Sequence, residues 1–226
     1  MNFRLWWRGF SAFVLTIFLS FTLFSLPANA LVPSSSGDAL KHLLATNECN
    51  ECNLSGVDLS NQDLYGSALL NANLTEANLS NTLLNEAELD GANLTGANLS
   101  GASLLGVKLN KAKLINANLT KAKLNNAEMT GAICSGATFT GAILEYAIVS
   151  QAKLSNAIAK AANFRNAYLD KADLSNADFS EAGMKNARLS GATLTNTKFT
   201  DADLFRARMP NDTVYNGNIA QFGAIE

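Results

Sequence analysis

The chain repeats every five residues for most of its length. Register it on Leu54 and step by five, and an apolar residue recurs at every position through Met209, thirty-two frames without an insertion. Only Cys134 and Ala159 are small at that position. The stretch LDGANLTGANLSGASL, from Leu89 to Leu104, shows the unit clearly: Leu89, Leu94, Leu99 and Leu104 recur, with Ala92, Ala97 and Ala102 two places before the last three. Serine or threonine often follows the central residue, and Asn or Gly often comes next.

A period of five fits neither regular structure. A helix would scatter these leucines around its circumference, because five residues overshoot 3.6. A flat strand would put alternate leucines on opposite faces. The period works only if each unit contains its own bend. Within a unit the alanine and the central leucine are two apart, share a face and point inward, and the residue between them points out. The next two positions turn the corner, where Gly and Asn tolerate unusual backbone angles. Repeating the step closes a coil, and stacked coils bury one continuous core.

The units GANLTGANLSGA, LINANLTKAKL and NADFSEAGM match the A-(D/N)-L-x-x pattern as they stand, and the chain resembles the pentapeptide-repeat family from Cys52 to Met209. The resemblance implies an all-β fold, a right-handed quadrilateral parallel β-helix with one pentapeptide per side. Thirty-two frames then make about eight coils, a rod roughly 38 Å long at about 4.8 Å per coil.

Four sides mean that residues twenty apart lie above one another. Glu88, Lys108 and Glu128 then alternate in sign down one column, and Glu145 with Arg165, Lys153 with Asp173 and Asp178 with Lys198 pair likewise. Three steps oppose this: Arg165 to Lys185, Glu181 to Asp201, and Arg188 to Arg208. Exposed pairs of this kind contribute about 0 to 1 kcal/mol each. Asparagine columns such as Asn53, Asn73 and Asn93 are expected to form stacked amide ladders. Ala159 falls between Phe139 and Phe179 in a core column, where a small residue makes room for the rings.

The ends differ from the repeat. Residues 1–30 carry Arg4 and Arg8, an apolar stretch from Phe10 to Leu26, and Ala28 and Ala30 in A-x-A spacing. That is the layout of a secretory signal peptide cleaved after Ala30, the alternative being an uncleaved anchor. Residues 31–51 are read as a tail and a capping helix. Ser36 starts the helix, Asp38 lies in its first turn, and Leu40, Leu43 and Leu44 share one face. The β-helix occupies 52–209. Residues 210–226 break the repeat, with Val214, Tyr215, Ile219 and Phe222 expected to cover the last coil.

Cys49 and Cys52 stand between the helix and the first coil. A structural disulfide that pins the two together is one reading; free thiols and a redox pair are the others. Cys134, at a central core position, is expected to be an inert thiol. Around the fifth coil the outward position turns apolar, at Ile133, Ile143 and Ile148, then Ile158 in the sixth. Tyr146 sits at a nearby corner and Tyr168 stacks beside Ile148. These six are the candidate interaction surface. The competing reading is that isoleucine simply suits an exposed strand, and the six fall on different sides.

His42 is the only histidine, and no nucleophile, phosphate loop or metal-ligand cluster stands out. The chain is therefore expected to be no enzyme and to hold no cofactor and no metal. Its formal charge is −2, and losing two arginines with the leader takes it to −4, too little for nucleic acid. Expected instead is an unknown protein partner, a monomer or weak oligomer, and no stable membrane insertion after cleavage. Members of the resembled family with a leader and this size imply export to the thylakoid lumen or periplasm, as a structural or protein-interaction scaffold or a lumenal assembly or regulatory factor for a membrane complex. The family's gyrase inhibition by DNA mimicry belongs to cytoplasmic dimers with acidic surfaces, and this chain departs on export and on charge layout.

Overall fold

A computed structural model describes residues 35–225; the expected signal peptide lies outside them. Parallel backbone bridges join each outward residue to the one twenty places on, from Glu48↔Ala68 through Arg188↔Arg208. Four five-residue units therefore make one turn. The ladder begins at Glu48, one frame before the first full unit at Cys52.

The frame around Leu114 explains why the coils stack. Lys113 N–H donates down to Ala92 O at 2.9 Å, while Leu114 and Asn116 donate up to Ile133 O and Ser135 O at 2.7 and 3.0 Å. Ala117 N–H closes the corner on Leu114 O at 3.1 Å. The second corner residue has positive φ in each frame from Glu51 to Arg206, as a turn of this kind requires. Glycine serves there without strain, and at Gly136 it also leaves room for Asn116 Oδ1 of the coil before, which a Cβ would push aside. Tyr146 adopts φ 60° at the same position.

The inward pattern holds as the period predicts. Central residues and the alanines two before them form one continuous buried core, with Phe139, Phe164 and Phe179 among its largest fully buried members. Phe164 stands one frame after Ala159 in the same coil, and its ring centroid lies 5.2 Å from that of Phe179. Three hydroxyl residues replace alanine in the core. Thr82 and Thr197 return their hydroxyls to Leu59 O and Leu174 O at 2.7 and 2.8 Å, while the Ser67 hydroxyl has no partner.

Helix α1 spans Ser36–Thr46. Its N-cap is Ser35, one residue before the expected start: Ser35 Oγ accepts from Asp38 N–H at 3.2 Å and donates to the Asp38 carboxylate at 2.8 Å. Ala39 and Leu43 are buried in the core and Leu40 is partly so, but Leu44 is 49% exposed. The buried stripe is thus centred on the Ala39–Leu43 pair rather than reaching Leu44. Asn47, left-handed at φ 61°, ends the helix and donates from Nδ2 to Tyr65 O at 2.8 Å.

The C-terminal segment differs in the same way. Ile219 is buried, Tyr215 and Phe222 pack partly against the core, and Val214 is 58% exposed. Val214 turns outward because it pairs antiparallel with Arg208, reversing the chain. Ile225 then takes the parallel bridge to Lys198, a place that Asn218 would hold had the repeat continued.

Candidate functional site

The surface is built by the residue between alanine and leucine, so the four sides are four columns. Counted from the first full unit they start at Asn53, Asp58, Asp63 and Ala68, the last preceded by Glu48, and are the first to fourth sides. The corner after each side is formed by the next two residues.

An orphan amide explains why Asn or Asp recurs in these columns. The N–H of the first corner residue meets no backbone acceptor. Asx side chains supply one: Thr120 N–H donates to Asn118 Oδ1 at 3.1 Å, and Ser180 N–H to Asp178 Oδ1 at 3.1 Å. Elsewhere a corner Asx of the previous coil does the same, as Asp90 does for Asn110 N–H at 2.7 Å. Asparagines also link along the column. Asp58, Asn78, Asn98 and Asn118 are joined at 2.9, 3.2 and 3.3 Å. On the first side Asn73 reaches Asn53 at 3.0 Å, but Asn93 turns instead to Thr75 at 2.9 Å.

Of the expected charge pairs, Glu88–Lys108 closes at 2.8 Å. The other ion pairs across coils are offset by eighteen residues, not twenty: Lys160–Asp178, Lys185–Asp203 and Asp170–Arg188, at 3.3, 3.1 and 3.4 Å. An outward residue two places short of vertical reaches the corner of the neighbouring coil, and a sequence sorted in columns of twenty hides that diagonal. Burial alone would raise the Asp178 carboxyl, but Ser180 and Lys160 outweigh it and hold it below the usual range. Lys185 and the Phe205 amide likewise outweigh burial at Asp203.

The structure divides the six candidate surface residues. Ile133 lies on the first side and Ile158 on the second. Ile143, on the third, is half-buried. Ile148 and Tyr168 bridge each other on the fourth, and Tyr146 stands at the corner just before Ile148. These last three are 40%, 39% and 53% exposed. Arg188 lies over the Tyr168 ring, 5.3 Å from its centroid. One apolar cluster therefore survives from the six. The corner after the fourth side carries an open groove of about 600 Å³ lined by Asp170, Asp212, Lys171 and Arg188 among others.

Cys49 and Cys52 are placed at bonding distance, with Cα atoms 5.3 Å apart, and Cys49 also approaches Ala39 O of the helix. Cys134 is fully buried, which pushes its thiol up to about 12. Among the described residues no group of three or more His, Cys, Asp or Glu is placed to hold a metal ion, and no helix is long and apolar enough to cross a membrane.

The family model for Pentapeptide repeats matches in eight copies between residues 52 and 209. The chain belongs to the pentapeptide repeat family. Pentapeptide repeat proteins fold as right-handed quadrilateral β-helices, and the twenty-residue ladder is that architecture. Among solved structures it is similar to HetL, a pentapeptide repeat protein involved in heterocyst differentiation regulation in Nostoc sp. strain PCC 7120: 28% identity over 79% of this chain and 98% of that one, TM-score 0.48. It is also similar to QnrB1, a plasmid-mediated fluoroquinolone resistance protein, at 16% identity over 74% and 90%, TM-score 0.34. A pentapeptide repeat protein of the Arabidopsis thaliana thylakoid lumen matches at 22% over 66% and 73%, TM-score 0.24. No curated protein matches.

Proposed function

We propose that the protein is an exported, non-catalytic rod that binds a protein partner in the thylakoid lumen or periplasm. The observation that carries this reading is the cluster of Tyr146, Ile148 and Tyr168, exposed side by side on a stiff scaffold. Exposed aromatic and aliphatic side chains held in place by a backbone ladder lose little entropy on docking. Export rests on the layout of residues 1–30. In an oxidising compartment Cys49 and Cys52 form a disulfide at the start of the ladder, where Cys49 also approaches Ala39 O of α1, and α1 and the C-terminal segment protect the two ends of the core.

The test uses protein recovered from its native compartment after cross-linking, with the captured partner quantified. Changing Ile148 and Tyr168 together to Ser should lower recovery at least tenfold, while Ile158→Ser, on another side, should leave it unchanged. Equal recovery by parent and double variant would remove this cluster as the binding site.

A further inference from the structure

The cluster at Tyr146 is part of a longer feature. Among the described residues of the coils, eight large apolar side chains are more than a third exposed. Seven of them fall on the third side, the fourth side or the corner between; Ile158 is the exception. Tyr65, Leu105 and Phe205 stand on that corner at 54%, 39% and 58% exposure, Leu83 stands beside them on the third side, and the Tyr146 cluster completes the row. From Tyr65 to Phe205 is seven coils, about 34 Å.

The same edge gathers the residue types that dominate binding surfaces. All four arginines after residue 34, Arg165, Arg188, Arg206 and Arg208, lie on it, as do three of the four tyrosines. Tyrosine and arginine are the side chains most enriched in interface centres.

Its charge is graded along the rod. In the first four coils this edge carries Asp63, Glu86, Glu88 and Glu128 against Lys108 and Lys123, a net acidic end. In the last four it carries the four arginines and Lys185 against Glu145 and Asp203, a net basic end. A surface acidic at one end and basic at the other is complementary to itself when one copy is reversed.

We propose that two copies of this chain associate side by side in opposite directions through this edge, about a two-fold axis at the middle of the rod. The inference rests on the reading of the edge as a binding surface, and names a second copy as its occupant. With full overlap the first coil meets the eighth, so Tyr65 faces the partner's Phe205. The third meets the sixth, bringing Leu105 to the partner's Tyr168. The second meets the seventh, opposing Glu86 and Glu88 to the partner's Lys185 and Arg188. Each contact occurs twice, as an isologous interface requires. A convex corner buries less than the roughly 800 Å² per partner of a standard interface, so the dimer is a weak one, dissociating in the micromolar range.

Charge reversal tests both the partner and the direction. One variant carries Glu86→Lys and Glu88→Lys, the other Lys185→Glu and Arg188→Glu. Each is expressed from the full coding sequence, purified in the form the cell accumulates, checked for an unchanged fold by circular dichroism, and examined by sedimentation at about 100 μM. The parent should dimerise, more weakly at 0.5 M salt. Each variant alone should dimerise at least tenfold more weakly, because both of its contacts then oppose like charges. An equimolar mixture of the two should recover the dimer, since the reversed ends match again. A monomeric parent, variants that dimerise as the parent does, or a mixture that stays monomeric would each overturn the proposal. A monomeric parent whose Ile148/Tyr168 variant still loses a captured partner would overturn self-association alone and leave the binding role standing.

Discussion

At the residue scale each of the five positions has a distinct physical task. Two are inward, one turns with φ negative, one turns with φ positive, and one faces outward and services the amide its neighbour leaves open. Three substitutions in adjoining frames separate these tasks. Leu114→Asp buries a charge in the core and should cost more than about 3 kcal/mol. Asn118→Asp keeps the acceptor for Thr120 N–H, gives up only the 3.3 Å surface donation to Asn98, and should be nearly neutral, whereas Asn118→Ala loses both and should cost about 1 kcal/mol. Thermal melts of the three rank them; equal effects of Leu114→Asp and Asn118→Asp would reject the inward and outward assignment. The inward positions were legible in the sequence because volume and polarity alternate there with a fixed period. The amide service was not, since the need arises only from where the stacked backbone leaves Thr120 N–H and Ser180 N–H without partners.

At the scale of elements, α1 and the C-terminal segment were readable in kind but not in detail. Hydrophobicity marked Leu44 and Val214 for burial, yet both are exposed, one by helix rotation and the other by a chain reversal at Arg208. The helix rotation leaves no local trace in composition; the reversal does, in the run Pro210-Asn211-Asp212, but that run does not say which way Val214 then faces. The junction of α1 with the first coil makes its own prediction. Protein isolated from an oxidising compartment should show one reactive thiol after unfolding, that of Cys134, with Cys49 and Cys52 bridged. Before unfolding it should show none, because burial keeps the Cys134 thiol protonated at neutral pH. Three reactive thiols in the unfolded protein would reject the bridge.

For the whole molecule, acid is the informative stress. Asp58, Asp178 and Asp203 are all held below the ordinary aspartate value of 3.8. Ser60 lowers the first through its hydroxyl and amide. At Asp178 and Asp203 burial acts the other way but is outweighed, by Ser180 and Lys160 and by Lys185. A folded value below the unfolded one adds stability that is present above the unfolded value and lost as pH falls through the folded one. The melting midpoint should therefore hold from neutrality to about pH 5 and fall below about pH 4; a midpoint unchanged at about pH 2.5 would contradict these pairings. The unbroken twenty-residue ladder has a further consequence for how such a chain can change length. Removing five residues keeps every inward residue inward, so the rod survives, but all that follows rotates by a quarter turn and the row from Tyr65 to Phe205 is split between two edges. Removing twenty shortens the rod by one storey and leaves every side aligned. A change of length in whole repeats is thus of two kinds, one that shortens or extends the rod and one that rewires its surface.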